Sequence, residues 1–176
     1  MKQLLVLLLL YPLLAAATQS QYYIGELRTL SDKGDLQSLS VALSKRTFDG
    51  KLKVIIEETL HINAHGDTTH FTHVSQVDGD KYIVQDSAKR LKGEGKLFGK
   101  PWQWDRWDAE GLVDEKRRFT SQSHLAGGLL LVRKEFFDPA GKLTTVSSEE
   151  YRPISHALYE LLYARLSQNL RTPPLS

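Results

Sequence analysis

The chain has 176 residues, 41% of them apolar, and carries 23 Lys and Arg against 21 Asp and Glu. It contains no cysteine, which excludes disulfide staples, thiolate nucleophiles, Cys-based zinc sites and c-type haem attachment. Its even charge balance, a formal +2, is not the basic footprint of a nucleic-acid-binding domain, and no nucleic-acid partner is expected.

The opening stretch, MKQLLVLLLLYPLLAAATQS, joins a lysine, an apolar run from Leu4 to Leu10, a proline and a set of small residues. These are the three parts of an export signal, and A-x-A geometry puts cleavage near Ala17. The run is shorter than the roughly 20 apolar residues that a bilayer span needs. Residues 1–18 are therefore read as a signal peptide, with no membrane span after its removal. The expected destination is the periplasm or the extracellular space. About 155 residues remain, enough for one domain with one core.

Turn signals then recur at short intervals: SDKGD at 31–35, FDG at 48–50, HGD at 65–67, DGD at 78–80, WDAEG at 107–111, AGG at 126–128 and DPAG at 138–141. Between them lie segments rich in Val, Ile, Thr, Tyr and Phe, the pattern of about ten strands joined by hairpins, from YYIGELRTL to TTVSSEEY. No amphipathic helix interrupts them, so the pattern is an antiparallel meander rather than βαβ units. The one helix is the last element, ISHALYELLYARLSQNL, with Pro153 before it, Ser155 as its cap and an apolar stripe of Leu158, Leu161, Leu162 and Leu166. The expected organisation is a β-barrel domain over 19–153, a helix over 154–170 packed on it, and a tail over 171–176.

Two-residue turns at Asp49-Gly50, His65-Gly66 and Asp78-Gly79 set a register for four strands. Three rows follow: Leu39–Leu60–Phe71–Asp86, Val41–Glu58–His73–Val84 and Leu43–Ile56–Ser75–Tyr82. In that register the apolar residues share one face, while Ser44, Glu57, Thr59, His61, His70 and Gln76 collect on the other, wet face. A meander this long hides its apolar face by closing into a barrel or by curling around the terminal helix. The predicted fold is all-β, an antiparallel up-and-down β-barrel of about ten strands with a C-terminal α-helix.

The export signal, the D-G hairpins and the helix after the last strand make residues 22–151 resemble the lipocalin-like (calycin) barrels, which include lipocalins and fatty-acid-binding proteins. The Gly-x-Trp of a typical lipocalin first strand is absent from QYYIGELRTL, where Gly25 is followed by Glu26 and Leu27. The resemblance implies an architecture and a ligand held inside the barrel, and it assigns no residue.

Candidate site residues come from the alternation. In PWQWDRW it puts Trp102, Trp104 and Arg106 on the inner face and Gln103, Asp105 and Trp107 on the outer one. The two inner tryptophans either fill the core or wall a ligand, with Arg106 near the barrel mouth to meet an anionic head group. Glu58 lies among Leu52, Val54, Ile56, Leu60 and Ile62, and the register sets His73 opposite it. A carboxylate on an apolar face must be paired or held neutral. The leading expectation is a small apolar or amphipathic molecule inside the barrel. Leu60, Phe71, Tyr82, Trp102 and Trp104 would form its wall, and Glu58, His73 and Arg106 would orient its polar end.

Two alternatives stand beside it. His61 opposite His70, with His65 or Asp67 from the turn, is a candidate zinc or copper site. A structural or interaction module with a filled core is the other. No nucleophile or oxyanion hole is recognisable, so no catalytic residue is assigned, and no cofactor is named. In LLLVRKEFFD both faces carry a charge, Arg133 and Glu135 on one and Lys134 on the other; DPAG would pair Asp138 with Lys142 and Arg133 with Ser147.

Overall fold

A computed structural model of the protein describes residues 18–86, 90–100, 103–113 and 117–170. The β-branched and aromatic segments form ten strands: β1 (Thr18–Ser31), β2 (Leu36–Asp49), β3 (Val54–Asn63), β4 (Thr68–Asp78), β5 (Lys81–Asp86), β6 (Leu91–Lys100), β7 (Gln103–Leu112), β8 (Arg118–Ala126), β9 (Leu129–Phe137) and β10 (Leu143–Ile154). Each pairs antiparallel with its chain neighbour, and β1 pairs with β10, so the sheet closes with lipocalin-like, up-and-down topology. Paired residues traced from Gln19 around all ten strands return to β1 at Ser31. That stagger tilts the strands and sets the width of the barrel.

Polar side chains shape the turns. Asp49 Oδ1 accepts from the Lys51 and Leu52 amides at 2.9 Å each, and Lys53 takes a positive φ of 53°. The β2–β3 loop therefore spans 50–53 instead of closing at Asp49-Gly50, and Ser40 pairs with Asn63. Asn63 Oδ1 likewise accepts from the His65 and Asp67 amides, which makes the β3–β4 loop run over 64–67. The tight turn after β4 consists of Gly79 and Asp80. The turn expected at 107–111 is strand, since β7 runs through it to Leu112. At the last hairpin Asp138 and Lys142 do pair, but a bulge between Leu143 and Thr145 sets Arg133 opposite Ser148 rather than Ser147.

Of these shifts, the one at 64–67 has the largest effect, because it moves the β3–β4 pairing by one residue. Leu60 lies opposite His70, and Thr59 opposite Phe71. A slip of one residue reverses faces. The inner face consists of even residues on β2, odd ones on β3 and β4, and even ones on β5. A buried cluster drawn from around the barrel occupies it, including Tyr23, Leu27, Ala42, Ile55, Tyr82, Trp107, Val132 and Tyr151.

A second cluster lies outside the wall. The helix α1 (His156–Leu166) starts at Ser155, whose Oγ accepts from the Leu158 amide at 3.2 Å, and runs on into a short 3-10 turn at Ser167–Leu170. It covers the outer side of β1–β3, where Tyr159 packs with Leu43 and Leu60, flanked by Tyr22, Ile154, Leu162, Tyr163 and Leu166. Leu158 and Leu161, expected in its buried stripe, are exposed. Among the described residues no helix is long and apolar enough to cross a membrane.

Candidate functional site

The corrected register brings ionisable residues into the barrel. One inward row crosses four strands as Arg46, Glu57, His73 and Asp86. Arg46 Nη2 donates to Glu57 Oε1 at 3.0 Å, and its guanidinium lies 4.9 Å from the centre of the Trp107 ring on the far wall. Arg46 Nη1 is buried with no hydrogen-bond partner among the described residues. From β10, alternate residues point inward together: Ser147 Oγ and Tyr151 Oη donate to the two oxygens of Glu149 at 3.1 and 3.0 Å. Lys134 of β9 completes that carboxylate's shell, its Nζ 2.8 Å from Oε1.

Glycines make room for the aromatic members. A Cβ on Gly25 would run into the Tyr151 ring, and one on Gly95 into the Tyr82 ring. Each tyrosine thus lies flat across a neighbouring strand, and Tyr82 Oη reaches the Asp108 carbonyl at 3.2 Å.

The electrostatics follow from enclosure and pairing. Burial pushes the Glu57 carboxyl up, but the charges of Arg46 and Lys134 and the Arg46 hydrogen bond together hold it below its usual range. Burial pulls Arg46 down, and Glu57 together with Tyr23 and Tyr82 more than restores it. Lys134 behaves in the same way, with Glu149 as the restoring charge. His61 and His73 are pulled below the usual histidine value by burial, against the nearby charges of Glu149 and Glu57 respectively. Burial raises Tyr23, Tyr82 and Tyr151.

Glu57 and Lys134 both point into the barrel, yet 36% and 37% of their side-chain surface remains accessible to a molecule the size of water. Inward-facing side chains with that much accessible surface imply a hollow around them. Phe71, His73, Phe119, Ser121 and Phe136, all on the inner face, are half-buried in the same way. The outer face has a separate concavity of ≈ 830 Å³ over β4–β9, lined by Ile83, Phe98 and a mixture of charges that includes the Arg133–Glu135 pair.

The expected residues divide between the two faces. Phe71, His73 and Tyr82 are inward. Glu58 is not: it lies on the outer face, its Oε2 3.0 Å from Nζ of its cross-strand neighbour Lys45. Leu60 is outward as well, buried under the helix. The expectation for β7 is reversed, with Trp107 in the interior and Arg106 outside, paired with Asp108 and 5.2 Å from the Phe98 ring centre. Trp102 lies outside the described residues, and of Trp104 only the backbone pairing with Gly99 is described. His61 points inward and meets the Phe71 ring edge-on at 4.7 Å, whereas His70 is exposed on the outer face. The two cannot share an ion, and among the described residues no three His, Asp or Glu are grouped to hold one. His65 and Asp67 are exposed loop residues.

Arg46, Glu57, Lys134 and Glu149 escaped the sequence reading. A signal for two of them was present, since pairing β2 and β3 four positions further on sets Lys45 opposite Glu58 and Arg46 opposite Glu57, an ion pair on each face. No protein-family model matches the chain, and no curated protein matches it.

Proposed function

We propose that the protein is an exported carrier that holds a small amphipathic molecule inside its barrel. One observation carries this reading: Glu57 and Lys134 point into the barrel and still have more than a third of their side-chain surface accessible. Enclosed charged groups facing empty space are served by water or by a ligand. A largely apolar cavity with a few convergent polar groups is the usual composition of a small-molecule site. Phe71, Phe119 and Phe136 would take the apolar part, and Glu57 and Lys134 the polar end. Export is supported by the leader-like sequence of residues 1–18.

Native mass spectrometry of the full chain, purified from its own host without denaturation, tests the reading. Excess mass lost on organic extraction is the expected result, with an N-terminus near Thr18 on the exported form. Bare protein mass, together with no saturable uptake of an apolar dye, refutes the carrier role.

A further inference from the structure

We infer that the interior site, if it is the carrier site proposed above, selects a zwitterionic polar end of the α-amino-acid kind over a simple carboxylate. Two features of the cluster lead there.

The first is unused bonding capacity of both signs. Lys134 Nζ has three protons and, among the described residues, one ion-pair partner, Glu149. Glu57 receives Arg46 on Oε1, which leaves Oε2 to accept from a ligand. Arg46 Nη1 also lacks a partner among the described residues, but it is closed off by the surrounding atoms and offers no bond to the hollow. A donor on Lys134 and an acceptor on Glu57 therefore both face the barrel interior with accessible surface to spare.

The second is charge balance. Deep in the barrel the cations Arg46 and Lys134 are matched by Glu57 and Glu149. Burial lowers His61 and His73, which favours their uncharged forms at neutral pH. Tyr23, Tyr82 and Tyr151 are neutral as well. Asp86, at the end of β5, is matched by Lys92 at 3.7 Å, and the additional cation Arg90, 2.7 Å from it, is exposed and screened by solvent. A lone carboxylate would add a net negative charge to a balanced, poorly solvated cluster and would compete with Glu57 for Arg46. A ligand with an ammonium beside its carboxylate adds no net charge, and it can give each group to the matching pole.

Three probes with one alkyl chain separate the terms: decanoate, decylamine and 2-aminodecanoate, each titrated at neutral pH against N-phenyl-1-naphthylamine bound to the full chain. The expected result is 2-aminodecanoate displacing the dye about tenfold more tightly than either single-charge probe. Decanoate binding as well or better overturns the inference and leaves the carrier reading standing. No saturable binding of the dye or of any probe removes the carrier reading and the inference with it. In the Glu57→Gln variant decanoate should tighten while 2-aminodecanoate weakens, a reversal that general loosening of the fold cannot produce. An unchanged rank order overturns the role given to Glu57.

Discussion

Replacing Arg46 by Met keeps an unbranched stem about as far as Nε and removes the guanidinium, so it removes the pair with Glu57 together with the contact over Trp107. Removing one partner of a fully buried pair costs about 3–5 kcal/mol, because the other charge is left uncompensated. Glu57 keeps 36% of its side chain free inside the hollow. Partial hydration there lowers the expected cost to about 2 kcal/mol. Losing the guanidinium over Trp107 adds about 0.5–1 kcal/mol. Urea denaturation followed by far-ultraviolet circular dichroism should thus give a loss of about 3 kcal/mol. Circular dichroism is preferred because the substitution itself alters the surroundings of Trp107. Arg46→Met combined with Glu57→Leu should return to within about 1 kcal/mol of the parent, since replacing both charges removes the stranded one. The Glu57 carboxyl lies below its ordinary 4.5 in the folded chain. The pair's stabilisation is therefore fully present above that value and fades as the pH falls through the depressed one. The gap between parent and Arg46→Met should narrow over the same range. A single-variant loss below about 1 kcal/mol, or a double variant no better than the summed single losses, refutes the buried-pair argument.

Three further outcomes follow from the same geometry. Glu58→Gln breaks only the outer pair with Lys45 and should cost under about 1 kcal/mol, with dye binding unchanged; a larger loss in either measurement would move Glu58 back into the site. Gly25→Ala drives a methyl into the Tyr151 ring and should destabilise by about 2 kcal/mol while loosening the Tyr151–Glu149 bond; equilibrium unfolding at parental stability would show that the ring has room to shift. His61 and His73 should each titrate with NMR midpoints below the ordinary 6.5, and a midpoint above it would mean that the carboxylates outweigh burial.

Strand number, the helix with its cap at Ser155 and the closure of the barrel were legible because they depend on local chemistry: alternation, turn residues and an N-cap serine. The site was not, because it depends on register, and register turned on side chains within the loops. Asn63 accepts two loop amides and lengthens the 64–67 turn, which moves the β3–β4 pairing by one position. Hydrophobicity could not correct the slip. Leu43 and Leu60 read as interior residues, and they are buried, but beneath Tyr159 on the outside. Their neighbour Glu58 looked like a carboxylate in a core for the same reason, while the buried carboxylates, Glu57 and Glu149, lie one position away in EE pairs whose other members face out.

That arrangement also bears on how a barrel with charged groups inside stays folded. A hollow interior contributes less apolar burial than a filled one, and each enclosed ion must recover its desolvation cost from a partner. The outer cluster under the helix supplies hydrocarbon burial that does not compete with the cavity: Leu43 and Leu60 are each only 1% exposed there. Leu60→Ala tests this division of labour. It should cost about 2–4 kcal/mol and speed amide exchange in the helix. The relative affinities of the three alkyl probes should stay as they were, because Leu60 touches the helix and not the interior. If their rank order changes, the outer cluster and the interior are mechanically coupled, and the wall is not the partition that the alternation of its strands implies.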